Sequence, residues 1–473
     1  VSKWAGNTNH KFLQLPNRTM FIYNTRDSYH TAELCFSLLR ELDDPKLNGQ
    51  GKYFHEWVEP LQQAVINMQR RGMYLNKEAK HQYHMGLRKQ LNSVDSAIKL
   101  HADTHGFTFD NVNSNQQLGR FLFDHLKLRG GKKTKMGHQW QVDQHALMGV
   151  LKQLRKRDEP HRVMLHNFFH RSRINTILDR YMKLEVGLDG RVRANVKLTG
   201  TKTFRYAYAE PALQQFPPEC RHVFEASPGK VFISADHSQL EARLLAILAN
   251  DVVSLDVFDR GGDVHAQNAR DLLGLSEEEW SGLGEAARPR RNLAKGFLYR
   301  ISYGGEGAMD KEKLFCPCFR CAEEVDEAHV LTRPKMLAAE ARWFTAHHAV
   351  RVWQDQLLAD IKRHHCYDSP FGVRRWIAEP WSKDLEKEAK NIPMQMNAAL
   401  LMNRHQVRLD RIGFPIILQM HDEFMAEVDE SPGSHVDQMQ ADLKGVMETP
   451  VPELGNVVFP TDAGIGHNWS EVK

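Results

Sequence analysis

Two acidic positions carry the strongest chemical signal in this sequence. Asp236 follows the apolar run Lys230-Val-Phe-Ile-Ser-Ala235 and opens Asp236-His-Ser-Gln-Leu-Glu-Ala-Arg243, whose periodicity turns helical. Asp422 lies in His421-Asp422-Glu423, between the β-rich runs Phe414 to Met420 and Phe424 to Val428. Each has an ordinary explanation when taken alone: a strand-end Asp before a helix is often a cap, and an acidic turn is usually solvated surface. If both strands share one sheet, the two carboxylates converge and hold a pair of divalent ions. Metals about 4 Å apart activate an attacking oxygen and steady a leaving one in an in-line phosphoryl displacement. Mg²⁺ suits such a site because it takes one or two carboxylates and completes its shell with water and substrate phosphate. Mn²⁺ is the expected substitute.

A second constellation lies in Arg290 to Gly304, where Arg291, Lys295, Tyr299 and Tyr303 recur at intervals of four. That spacing places all four on one helical face. Two cations followed by two aromatic rings let one end grip a triphosphate while the other packs against sugar and base. The plain alternative is a solvated basic helix with half-buried tyrosines. A third group, Cys316, Cys318 and Cys321 with His329 eight residues on, offers three thiolates and an imidazole for a closed structural zinc site. Its spacing is irregular, and reduced thiols in an insertion behind the basic helix are the simpler expectation.

These groups must be held by more than one core. At 473 residues the chain is too long for a single compact domain, and about 150 residues per domain suggests roughly three. Lys plus Arg number 63 against 59 for Asp plus Glu, so a polyanionic partner must be held by local clusters rather than by the overall field. No apolar run approaches the ~20 residues of a membrane span, and the opening VSKWAGNTNH lacks a signal-peptide core. Six cysteines without framework spacing read as reduced thiols of a cytoplasmic protein. The first residue, Val1, suggests a processed chain or a fragment. A helix is predicted over Asp27 to Leu42, a mostly helical region from 53 to 184 with a basic turn at Lys132, Lys133 and Lys135, and further helices over 251 to 370.

With these residues in view, the chain resembles family A DNA polymerases, the group of bacterial polymerase I and its phage relatives. Asp236 to Arg243 is similar to the family's first palm motif, Arg291 to Gly304 to its fingers helix, and Gln419-Met-His-Asp-Glu423 to its second palm motif. Thr203-Phe-Arg205, Pro211-Ala-Leu-Gln214, Gly262-Asp-Val-His265, Phe371-Gly-Val-Arg-Arg375, Asn391-Ile-Pro-Met-Gln395 and Gly466-His-Asn-Trp469 fill the gaps in the same order. The resemblance implies an α+β right-hand fold with an antiparallel-sheet palm and helical fingers and thumb. It implies template-directed addition of deoxynucleotides to a primer 3′ end with release of pyrophosphate. Asp236 and Asp422 are then the metal ligands, and Gln239, Glu241, His265, Arg291, Lys295, Tyr299 and Tyr303 the nucleotide-binding set, with Lys295 also a proton donor to pyrophosphate. Glu241 matches the position that blocks a ribose 2′-hydroxyl. Arg205, Gln214, Arg243, Asn391, Gln395 and His421 match residues that hold primer and template. The partners implied are primer-template DNA and dNTPs, bound by a chain expected to be a monomer.

The expected units are a remnant of a 3′–5′ exonuclease domain at 1–52, a thumb with the lead into the palm at 53–204, palm at 205–250, fingers at 251–370, and palm again at 371–473. Tyr23-Asn-Thr-Arg-Asp27 resembles the last exonuclease motif, yet residues 1–26 contain no Asp or Glu, so proofreading is not expected. The sequence departs from the family pattern at His237 (usually Tyr), Phe204 (usually Gly), Ala212 (usually Asn) and Met396-Asn397 (usually Gly-Thr). Tyr299 stands where many members have Phe. The rival readings are a single-subunit RNA polymerase, against which Glu241 argues, a nuclease, and a DNA-binding subunit that has lost its chemistry.

Overall fold

The computed structural model describes residues 16–44, 50–134, 139–151, 153–154, 158–303, 333–431, 433 and 435–472. The cysteine group at 316–321, His329, Gly304 and Lys135 lie outside the described residues. The chain opens with helix α1 (Asn17–Leu42), which contributes no buried side chain, so Tyr23 and Asp27 ride on an exposed rod. This helix starts ten residues before the predicted Asp27, because nothing between Asn17 and Asp27 breaks it.

Helix α2 (Glu59–Arg71) ends at Gly72, whose φ of 61° turns the chain into the two-residue strand β1 (Met73–Tyr74). Asn76 then accepts from the backbone N–H groups of Glu78 and Ala79, both at 3.0 Å, and starts the long helix α3 (Lys77–Thr104). With α4 (Gln144–Leu151) and α5 (Glu159–Thr176) it encloses a core of its own, including Ile98, Phe109, Phe121, Leu122, Val150 and Leu165. This is the helical lobe expected upstream of Arg205. Short strands were not expected there. β1 pairs with β2 (Arg191–Val192), and β3 (Asn195–Lys197) with β4 (Ala207–Ala209), each too short to leave a period in the sequence.

The central sheet is built on β5 (Lys230–His237), whose run Val231 to Ala235 is buried on both faces, as a near-continuous apolar strand should be. Helices α6 (Leu240–Ala249), α7 (Val252–Asp259), α8 (Val264–Leu273) and α9 (Ala287–Ser302) follow, then α10 (Arg333–Ala346) and α11 (His348–His364). A second apolar cluster joins α6, α7, α9 and α10 through Ala246, Phe258, Leu298, Ile301, Met336 and Trp343. The helical stretch gives way to a hairpin, β6 (Cys366–Asp368) with β7 (Arg374–Trp376), so strand structure begins just before the expected boundary at 370.

Helix α12 (Lys383–Arg411) carries Pro393 inside it and is buried around its whole circumference from Ile392 to Val407. Such a helix passes through the interior, taking Asn397, Asn403, Arg404, His405 and Gln406 in with its apolar side chains. Met394, Leu400 and Met402 each enter a different cluster, so this one element ties the lobes together. The chain returns to the sheet as β8 (Ile416–Met420) and β9 (Glu423–Asp429), crosses it as α13 (Val436–Met447), and closes with β10 (Thr461–Gly466). The order is β10-β5-β9-β8, antiparallel throughout. The two predicted hairpin strands are present; β10 was not expected, since Thr461-Asp-Ala-Gly-Ile-Gly466 has little β-branched or aromatic character. No described helix is long and apolar enough to cross a membrane.

Candidate active site

Register does what the sequence could only suggest. β5 and β9 pair so that Asp236 lies opposite Glu423, and the N–H of His237 donates to the carbonyl of Asp422 at 3.1 Å. Asp236 and Asp422 therefore sit side by side at one end of the sheet. The strand's alternation turns Asp236 outward and buries His237, 4 % exposed, with Nδ1 at 3.2 Å from the Phe459 carbonyl. Burial holds the His237 imidazole neutral, its pKa lowered to about 4. The residue that replaces the usual Tyr is thus part of the core beneath the site.

Charge in this corner is unbalanced. Burial first, then the neighbouring carboxylates of Glu241 and Asp236, push the Asp422 carboxyl up to about 7, with Arg205 and Lys295 only partly opposing them. Glu241, in the first turn of α6, accepts from Arg205 Nη2 through one oxygen and from the Tyr303 hydroxyl through the other. Tyr303 is the residue that ends α9 rather than a member of its last turn, yet its ring still stacks on Tyr299, centroids 5.5 Å apart at 19°. Lys295 lies over the Tyr299 ring at 5.7 Å. The predicted face of α9 is real.

Arg291 is not free. Its Nε donates to Asp263 Oδ2 at 2.5 Å, and the other oxygen of Asp263 caps α8 through the N–H groups of His265 and Ala266. That ion pair draws the Asp263 carboxyl below its ordinary value despite partial burial. His265, 1 % exposed, has no hydrogen-bond partner on either ring nitrogen among the described residues. Its pKa is lowered to about 4 by burial and by the adjacent Lys295 and Arg291. A buried, unpartnered imidazole beside two cations is a local surplus of positive potential.

The remaining site residues divide into two groups. Arg205, Gln214 and His421 line one cleft of about 290 Å³ with Tyr208, Asn403 and Gln419. Ala399, one turn after Gln395 on α12, lines it too, whereas Gln395 and Asn391 themselves do not. Gln239 and Arg243 serve local structure. Gln239 Oε1 accepts from the Val264 N–H at 3.1 Å, tying the turn after β5 to the start of α8. Arg243 donates to the Ser238 carbonyl at 3.0 Å and covers the Phe258 ring at 4.2 Å.

Backbone strain gathers here as well. Phe204, Gln239 and His421 have φ of 63°, 58° and 54°, in the region that disfavours ordinary side chains. At 204, where the family usually has Gly, this chain keeps a left-handed backbone with a side chain packed against the α12 core. Asp462 on β10 lies opposite Asp236 and accepts from the Ser238 hydroxyl, a further carboxylate at the edge of the site. Nothing in the sequence around it signals that position. Asp263 was more legible, since an Asp directly before a helix is a cap signal.

Comparison with known proteins agrees with this architecture. The family model for DNA polymerase family A matches residues 77–471. The chain belongs to DNA polymerase family A. A thermostable DNA polymerase I from Thermus thermophilus is 28% identical over 472 residues, an alignment covering 95% of this chain and 52% of that protein. DNA polymerase I of Geobacillus stearothermophilus is 26% identical over 455 residues, covering 91% of this chain and 47% of that one. The chain spans about half the length of the curated relatives it matches. The POL domain of Pol1 from M. smegmatis, solved in complex with DNA primer-template and dNTP, matches with a TM-score of 0.74 at 21% identity, covering 93% of this chain and 74% of that chain. The likeness establishes the expected α+β fold of helical lobes around an antiparallel sheet.

Proposed function

We propose that this chain is a template-directed DNA polymerase that joins a deoxynucleotide to a primer 3′ end and releases pyrophosphate. The observation that carries this reading is the placement of Asp236 and Asp422 side by side, facing a fingers helix that presents Lys295. In this reading residues 53–204 are the thumb and the lead into the palm, 205–250 and 371–473 the palm, and 251–370 the fingers.

The donor set fits divalent magnesium. Burial first, and then repulsion from the neighbouring carboxylates, raises the Asp422 pKa, and a hard dication relieves such a site. Asp236 and Asp422 are the residues that would hold Mg²⁺, or Mn²⁺ in its place. When bound, the ions polarise the phosphate oxygens and lower the pKa of the attacking hydroxyl. The protein's own groups do the rest. The primer 3′-oxygen forms a bond to the α-phosphorus as the bond to pyrophosphate breaks, with the hydroxyl proton passing to solvent. Lys295 stabilises the charge that grows on the leaving group and gives it a proton. His265 and Arg291 bind the triphosphate; the surplus positive potential at His265 is what a polyanion satisfies, and phosphate competes with Asp263 for Arg291.

On the primer side, Arg205, Gln214 and His421 share the cleft that accepts the minor-groove edge, and Gln395 and Asn391 lie one and two turns before Ala399 on α12. Minor-groove acceptors common to all base pairs test pair geometry without reading sequence. Tyr303 stacks at the templating position, and Glu241, held by Arg205 and Tyr303, fills the space of a ribose 2′-hydroxyl. Gln239 and Arg243 support this pocket by fixing the turn after β5.

The direct test is extension of a 5′-labelled primer on a DNA template with Mg²⁺, in parallel lanes with dNTPs, with NTPs and with no nucleotide. Lengthening with dNTPs alone is expected. Extension with NTPs would favour the RNA polymerase reading, and shortening without nucleotide would favour a nuclease.

Two smaller effects follow from the site. Tyr299 offers a hydroxyl near the sugar, where it replaces the hydrogen bond that a missing nucleotide 3′-hydroxyl would have made. Tyr299→Phe is expected to lower dideoxynucleotide use relative to dNTPs by about tenfold to a hundredfold, the worth of one good hydrogen bond. Equal incorporation by the two proteins would count against that role. In chelator, Asp422→Asn is expected to stabilise the fold at pH 8 by about 1–2 kcal/mol. The sign follows from the raised pKa: the folded state resists ionising Asp422, a penalty present above about pH 7 that fades as pH falls toward the ordinary value of 3.8. Urea midpoints of the two proteins should therefore converge at low pH; a constant gap across the range would show that the carboxyl is not perturbed.

A further inference from the structure

A second cluster of metal-competent side chains lies in the helical lobe, on a hydrophobic core separate from the one beneath Asp236 and Asp422. His101 lies in the last turn of α3, His105 is the residue that ends that helix, and His161 is in the first turn of α5. Their ligand nitrogens all fall within 4.8 Å of one another. His101 Nε2 and His161 Nδ1 are 3.1 Å apart, and the rings meet nearly at right angles, 88° between planes.

We propose that His101, His105 and His161 form a binding site for a borderline divalent transition ion, Zn²⁺ above all, that clips the end of α3 to the start of α5. The spacing fits the ion. With Zn–N bonds of about 2.0–2.1 Å, two nitrogens on a tetrahedral zinc lie roughly 3.3 Å apart, close to the His101–His161 separation. His105 is oriented from behind: its Nδ1 lies 2.8 Å from the His101 carbonyl, so that nitrogen donates and Nε2 keeps its lone pair for a metal. A four-residue interval on one helix puts both rings on one side. Three imidazoles select zinc, cobalt, nickel or copper over magnesium, which prefers oxygen, and leave a fourth position for water. His105 is exposed and the other two are half-buried, so an ion reaches the site from solvent. The C-terminal carbonyls of α3 favour a cation there, and Glu159 in the first turn of α5 offsets the opposite pole.

Such a clip would fix the angle between the two longest helices of this lobe without touching the polymerase chemistry. The competing explanation is a ring-to-ring hydrogen bond between His101 and His161 with no ion. The experiment uses the full chain carrying Cys316→Ser, Cys318→Ser and Cys321→Ser, which removes the thiolates of that group, in millimolar Mg²⁺, which occupies the carboxylate site. It is titrated with Co²⁺ and then Zn²⁺, following visible absorption and calorimetric heat. One equivalent should bind with a nitrogen-and-oxygen spectrum lacking a thiolate charge-transfer band. His105→Asn and His161→Asn should each weaken binding by about tenfold or more while primer extension is unchanged. His105 is exposed, so its variant should fold normally, and circular dichroism checks this. No binding by the parent protein, or binding that His105→Asn leaves intact, would overturn the proposal.

Discussion

Asp422→Ala should fold and yet fail to extend a primer, with single-turnover extension slower by about 10⁴-fold or more. Removing this carboxylate takes away one of the two groups that would anchor Mg²⁺ and place it against the reacting phosphate. A metal ion contributes several kcal/mol of charge stabilisation in such a transfer, and each 1.4 kcal/mol is tenfold in rate. The fold does not depend on the residue. Asp422 lies in the turn between β8 and β9, and its carboxyl is held at a cost by burial and by Glu241 and Asp236. Primer-template affinity, read by fluorescence anisotropy, should therefore change little. If Asp422→Ala keeps more than a tenth of the parent rate, the pair of strand-end carboxylates is not the centre of the chemistry, and the reading of the site falls with it.

Lys295→Ala should slow the bond-forming step by roughly 10²–10³-fold and weaken the apparent affinity for dNTP. Two roles are being asked of this side chain, and a second variant separates them. Lys295→Arg keeps a cation on the same face of α9, above Tyr299, so it should recover much of the nucleotide affinity. A guanidinium holds its proton far too tightly to donate it, so the rate should stay low. Quench-flow measurement of rate against dNTP concentration gives both quantities. Equal recovery of rate and affinity by Arg would show that Lys295 contributes charge alone and that the proton reaches pyrophosphate by another route.

Both assignments were visible before folding. Asp236 and Asp422 each lie beside an apolar β-rich run, and Arg291, Lys295 and Tyr299 recur at helical spacing; local pattern is enough to nominate such residues. The same local pattern could not show that the helix stops at Ser302, because helix ends depend on capping contacts; Tyr303 stays on the face, and gives its hydroxyl to Glu241 on another helix. Nor could it name the partner of Arg291, which is Asp263 at the start of the neighbouring helix. Contacts between elements far apart in sequence have no spacing to betray them.

The division for the whole protein follows the same line. Periodicity, strand-end acids and turn residues, all properties of a few neighbouring positions, determined the helical lobes, the hairpin around His421, and Asp236, Asp422, Arg291, Lys295, Tyr299 and Tyr303 as residues that could do chemistry; the α+β class and the other site residues came from the resemblance to the family's motifs. Tertiary structure alone decided that β5 lies between β9 and β10, so that register sets Asp236 beside Asp422 and brings in Asp462 from the last strand. It alone raised the pKa of Asp422, buried His265 without partners, and gathered His101, His105 and His161 from two helices. Each of these is a matter of distance and exposure to water, and neither exists until the chain has packed.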